Sequence, residues 1–116
     1  MFFRLLKKGI GIPYTIYLKL YYFKQLEIKG LIFPEGFVSI SIHKGAKLII
    51  KGNITLRQGT QILIRENARC VIGKKVFFNR NCSLVCRDNI IIGNSVLLGE
   101  SVKIYILKIM FGWEIM

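Results

Sequence analysis

At 116 residues the chain has the length of one domain, and at 53% hydrophobic residues it is too apolar for a disordered segment. Eighteen Lys and Arg against six Asp and Glu give a formal net charge of +12, which favours polyanionic neighbours such as nucleic acid, an anionic membrane or an acidic glycan. The basic residues are spread along the chain, so the plainer reading is a solvated basic exterior. Cys70, Cys82 and Cys86, odd in number and without paired Cys-x-x-Cys sets, imply neither a disulfide framework nor a zinc site, and a reducing, cytoplasmic compartment fits them best.

Met1 to Lys8 is short, apolar and basic. The longest uncharged run before the repeat, Gly9 to Leu18, is ten residues long and contains Pro13. It is too short to cross a bilayer, and no Ala-x-Ala-like cleavage site comes after it. Tyr14, Tyr17, Leu18, Tyr21 and Tyr22 recur at helical spacing, with Lys19 and Lys24 on other faces. Pro13 suits a first helical turn. The pattern predicts a short amphipathic helix or arm over residues 13–25. It either caps the N-terminal opening of a β-helix or docks on a membrane surface. Leu26, Ile28, Val38, Ile40 and Ile42 then alternate as strands do, interrupted at Gly30 and Pro34–Gly36.

From Ile42 the pattern becomes a short repeat. A large apolar residue stands at Ile42, Ile50, Leu56, Ile64, Ile72, Phe78, Leu84, Ile92, Leu98 and Ile104, always in steps of six or eight. Four positions after most of these comes a small or β-branched residue: Ala46, Thr60, Ala68, Val76, Cys82, Val96, Val102. Gly or Asn often precedes it, as at Gly45, Asn53, Gly59, Asn67 and Asn81. No helix keeps such a period, and a hairpin meander turns at wider intervals. A hexad with one large and one small apolar residue is the pattern of a parallel β-helix. Each hexad gives one strand and one turn, three hexads close a triangular coil, and an eight-residue step loops two residues out at a corner. Gly or Asn accepts the left-handed backbone conformation that a sharp corner needs. The expectation is about three and a half coils. Ile72, Leu84, Ile92 and Leu98 should be buried, and Cys82 should be a core residue at a small position.

The runs Ile72-Gly73-Lys74-Lys75-Val76, Phe78 to Cys86, and Ile92-Gly93-Asn94-Ser95-Val96 through Val102 to Tyr105 resemble the hexapeptide-repeat acyltransferases. They look most like the galactoside, maltose and surface-polysaccharide O-acetyltransferases. The resemblance covers residues 36–105. It implies an all-β fold, a left-handed parallel β-helix, with acetyl-coenzyme A as donor, a sugar or polysaccharide acceptor, no metal, and a homotrimer. Residues 1–35 then form an N-terminal arm or cap, 36–105 the β-helix, and 106–116 an apolar tail in which the repeat has stopped. That tail reads as truncated or out of frame.

In that family a histidine acts as general base on the acceptor hydroxyl, for which its pKa is suited. Counting along the match places the base at Ile109, which has no proton-accepting group. The single histidine, His43, falls on a corner and reads as an exposed corner residue. Asn79 aligns with an asparagine that contacts the acceptor sugar, though a turn asparagine is an equal alternative. The family's acceptor-binding acid falls at Arg87, beside Asp88. Arg87 favours an acidic acceptor over a neutral one. Asp88 sits where a small buried residue is normal, which predicts a bulged corner. No coenzyme-binding residue is assignable, and no phosphate-binding loop or RNA-binding signature is present, so nucleic acid is not an expected partner. The leading expectation is a sugar O-acetyltransferase in a truncated, inactive form. A non-catalytic β-helix acting by assembly or binding, and a basic peripheral membrane protein anchored through residues 1–25, stay open as alternatives.

Overall fold

The computed structural model describes the backbone of residues 2–106 and the side chains of residues 11–105. Ile109 and the apolar tail lie outside the described residues. The described residues form one helix and then twelve short strands, all paired in parallel, that wind through four coils of a β-solenoid. Helix α1 spans Phe2–Tyr21. The first coil contains β1 (Leu26–Ile28), β2 (Ile32–Glu35) and β3 (Ser39–Ile42). The second contains β4 (Lys47–Ile50), β5 (Ile54–Arg57) and β6 (Gln61–Ile64). The third contains β7 (Arg69–Ile72), β8 (Val76–Phe78) and β9 (Ser83–Cys86), and the fourth β10 (Asn89–Ile92), β11 (Leu97–Leu98) and β12 (Lys103–Ile106). Strands from successive coils stack into three four-stranded sheets.

The register explains the repeat. Leu26 pairs with Leu48 and Leu48 with Cys70, a coil of 22 residues each time, and Cys70 pairs with Ile90, a coil of 20. Within a strand, alternate side chains point inward, so each coil contributes pairs such as Leu48 and Ile50, Ile54 and Leu56, and Ile62 and Ile64, all buried. The small residues Ala46, Thr60, Ala68 and Cys82 fill the interior at the corners, as their spacing requires. Ile72, Leu84 and Ile92 are buried. Leu98 is only half-buried, because it lies in the fourth coil with no described coil stacked above it.

Two sequence expectations are refined. The coils number about four, because the alternating stretch from Leu26 already forms the first one. At the corners the left-handed conformation is adopted by Gly45, Gly59, Asn67 and Asn81, but not by Asn53. Asn53 instead accepts the Leu31 N–H of the coil below through Oδ1 at 2.8 Å. Gln58 and Asn94 do the same for Phe37 and Lys74. Corner side chains thus satisfy backbone donors that the sheets leave unpaired.

The helix is longer than expected, and Pro13 is inside it rather than in its first turn. A proline there removes one helical N–H donor. Its cost is offset by tertiary contact, since α1 packs along β2 and β1 at the N-terminal end of the solenoid. Gly11 permits the approach: a Cβ there would press on the Phe33 ring and the Ile32 carbonyl. Leu18 joins the solenoid core. The buried Thr15 hydroxyl donates to Gly11 O at 2.6 Å and accepts the Ile32 N–H at 2.8 Å. Tyr22 Oη donates to Ile40 O at 3.2 Å, and Gln25 Nε2 to His43 O. The edge groups of the first coil are therefore met by side chains of the helix and of the turn after it.

Replacing Ile72, which is fully buried, by Ala should lower stability by about 2–5 kcal/mol in denaturant melts. Thr15→Val keeps shape but strands the Ile32 N–H, and should cost about 1–3 kcal/mol. An unchanged midpoint for Thr15→Val would mean that the edge is satisfied in some other way.

Candidate functional site

Apart from Phe78, Thr60 and the three cysteines, inward positions are filled by aliphatic side chains, so polar chemistry gathers at the corners and outer faces. The three corners of the prism stack residues spaced by one coil, and two of them gather polar groups.

The corner between the second and third sheets carries Glu35, Arg57 and Asn79 in successive coils. Arg57 Nε lies 3.6 Å from Glu35 Oε2, and its Nη1 lies 3.4 Å from Asn79 Oδ1. Asn79 Oδ1 also accepts the Arg80 N–H at 2.8 Å, and the Asn79 carbonyl accepts the Thr60 hydroxyl at 2.9 Å. The acceptor half of the Asn79 amide is therefore engaged in shaping the turn. Among the described residues Nδ2 has no partner, so the donor half is available to a hydroxyl or carboxylate.

The corner between the third and first sheets carries His43, Arg65 and Arg87 in one column, since Ile42 pairs with Ile64 and Ile64 with Cys86. His43 is half-buried, not an exposed corner residue. Its Nδ1 donates to Glu66 Oε1 at 2.8 Å, and Arg65 Nε lies 3.5 Å from the other carboxylate oxygen. The His43 ring, and then the residue's own backbone N–H, hold the Glu66 carboxyl below its usual range. Arg87 is exposed two coils above His43, about 10 Å along the stack. Asp88 is exposed beside it. The corner at Asp88 is not bulged. Only Arg87 and Asp88 separate β9 from β10, where residues 43–46 and 65–68 make the equivalent turns below. Losing two residues removes both the left-handed position and the small buried one, and this accounts for the coil of 20.

Asn79 and Arg87 thus stand on different corners, at opposite ends of β9, roughly 13 Å apart along a four-residue strand. One protomer does not bring them together. The partners Glu35, Arg57 and Glu66 escape a reading by hexads, because hexads mark inward positions and the coil length sets neighbours at the corners. A spacing of 22 picks out Glu35, Arg57 and Asn79, and equally His43, Arg65 and Arg87. Among the described residues no three His, Cys, Asp or Glu side chains gather to hold a metal.

The thiols are candidate nucleophiles by chemistry alone. Cys70, Cys82 and Cys86 are all buried and free. Burial pushes the Cys70 thiol up to about 12, and the neighbouring Cys86 adds to the rise. Cys86 is also raised, chiefly by burial. A thiol this hard to ionise is a core group and not a nucleophile. A raised folded pKa favours the neutral form, so its contribution to stability is full below the unfolded value near 9 and is lost as pH rises towards about 12. Unfolding midpoints should fall across that window, and Cys70→Val should flatten the fall. Alkylation of the native chain at pH 8 should be negligible until denaturant is added; fast native labelling of Cys70 would contradict its burial.

Comparison with protein-family models, with curated proteins and with solved structures finds no match for this chain.

Proposed function

We propose that the chain is the repeat scaffold of an acetyl-coenzyme A-dependent sugar O-acetyltransferase of the hexapeptide-repeat kind, carrying an acceptor-facing surface without the catalytic base. The observation that supports this is the coil itself. Inward apolar residues recur along the strands of four coils, a left-handed corner residue followed by a small or β-branched one recurs from Gly45 on, and Ile92-Gly93-Asn94-Ser95-Val96 opens the last coil.

In acetyl transfer the acceptor oxygen attacks the thioester carbonyl, a base takes its proton, and the carbon–sulfur bond breaks to release the coenzyme thiol. The base contributes typically about 10²–10⁴-fold. The single histidine is held by Glu66 in the coil above it, at a corner of the first two coils. Arg87 and Arg65 on the same corner favour a carboxylate-bearing glycan over a neutral sugar, because a guanidinium binds a carboxylate by paired charge-assisted hydrogen bonds. A trimer is the arrangement that the resemblance implies, and a neighbouring protomer would be needed for Asn79 and Arg87 to meet on one acceptor.

The test has two readouts. Thiol release from acetyl-coenzyme A should show no acceptor dependence with galactosides, maltose or uronic-acid oligosaccharides. A uronic-acid oligosaccharide should nevertheless bind, and Arg87→Gln should weaken it by about tenfold, the worth of one charge-assisted contact. Acceptor-dependent thiol release would reveal an unrecognised base. Binding that ignores Arg87 would remove the acceptor surface from the proposal.

A further inference from the structure

Helix α1 has two apolar faces, and the solenoid covers only one. Gly11, Thr15 and Leu18 are buried against the first coil. On the opposite side Ile12, Ile16 and Leu20 succeed one another at four-residue steps, 46%, 52% and 73% exposed, and Phe23 continues the line at 74%. Tyr17 and Tyr21 flank it, also exposed, with their rings stacked 6.0 Å apart. An exposed stripe of this size on a helix is an interaction surface rather than chance.

Charge decides what covers it. The helix sequence holds Arg4, Lys7, Lys8 and Lys19 and no acidic residue, and Lys24 comes before the first acid, Glu27. Lys19 and Lys24 are both exposed. The whole chain is at +12. An apolar helix face bordered by lysines and tyrosines matches the interface of an anionic bilayer, where acyl chains take the aliphatic side chains, headgroups take the ammonium groups, and phenolic rings sit between. The helix is not one that crosses: no described helix is long and apolar enough to do so. A face-down helix of 20 residues, about 30 Å long, lies along the surface instead.

We infer that α1 is a membrane-surface anchor, whose Ile12–Ile16–Leu20 face, with Phe23 of the turn after it, enters an anionic lipid leaflet while its Thr15–Leu18 face holds the first coil. The two roles are compatible because they use opposite sides of one helix. The solenoid then stands off the membrane with its corners free. The inference is independent of the acetyltransferase reading.

The test is co-sedimentation of the full chain with phosphatidylglycerol–phosphatidylcholine vesicles and with pure phosphatidylcholine vesicles, at low and high salt. Binding should favour the anionic vesicles and weaken with salt. Ile16→Gln with Leu20→Gln, both on the uncovered face, should lower partitioning by at least about tenfold, with the melting midpoint unchanged. Lys19→Gln with Lys24→Gln should reduce the preference for anionic lipid. No binding by the parent chain overturns the inference, as does equal binding by the Ile16/Leu20 variant. Self-association abolished by that variant, without vesicle binding, would assign the face to a second copy of the chain and also overturn it.

Discussion

Everything in this molecule depends on coil-to-coil hydrogen bonding in register. Among the described residues no strand has a partner close in sequence: Lys47 pairs with Arg69, and Gln61 with Ser83, each a whole coil away. A coil cannot form alone, because its backbone donors and half its apolar surface are satisfied only by the coil above or below. The corners keep the register. Gly45 lies beneath Asn67 and Gly59 beneath Asn81, so a Cβ on either glycine would meet the asparagine side chain of the next coil. All four are left-handed. Turns of the same hand and length therefore repeat up the stack. Where two residues drop out at Arg87–Asp88, the strands still pair, Arg69 with Asn89 and Ile72 with Ile92. Corners absorb changes in length and sheets do not.

The same constraint creates a problem at the first coil, whose lower edge has no coil beneath it. A helix solves it with polar side chains. Thr15 serves the edge of β2 and Tyr22 that of β3, while Leu18 closes the apolar interior. Edge strands left open would offer templates to other chains. Pro13 is tolerated inside this helix because the docking against β2, with Gly11 at the close approach, fixes the local backbone more firmly than one missing hydrogen bond loosens it.

The repeat was legible because inward positions are dictated by space. Ile50, Leu56, Ile64 and Ile72 have no alternative to being large and apolar, and Ala46 and Ala68 none to being small. The strands at 26–35 were harder to read, because Leu26 and Ile28 are separated from Ile32 by a corner at Lys29–Leu31 that lacks the left-handed signal. The reach of α1 was illegible for another reason. Its first half mixes apolar residues with Arg4, Lys7, Lys8 and two glycines, so periodicity there does not mark a face. At the candidate site the single residues Asn79, Arg87 and Asp88 could be named, but not their neighbours. Neighbours in a solenoid are set by the coil length, and the hexad steps put the loss of two residues between Phe78 and Leu84, whereas the register puts it at Arg87–Asp88.

A narrow prism has a small interior, and this chain has more apolar side chains than the interior can take. The outward positions of the sheets show the surplus: Ile49, Val71 and Ile91 form a column on the first sheet, and Leu63, Val85 and Tyr105 one on the third. Ile91 and Leu97 are largely exposed, and so is Phe37 at a corner. Lengthening the solenoid does not relieve this, because each added coil brings its own outer face. A globular domain of equal length would bury such residues by thickening its core; a stack of coils has a fixed cross-section and cannot. Composition and architecture together therefore leave apolar side chains on the outer surfaces, whatever chemistry the corners support. The uncovered face of α1 is the part of that surplus with the most defined charge border, since Lys19 and Lys24 lie beside it and no carboxylate precedes Glu27. Fold geometry sends apolar surface outward, and the placement of lysines decides which neighbour that surface suits.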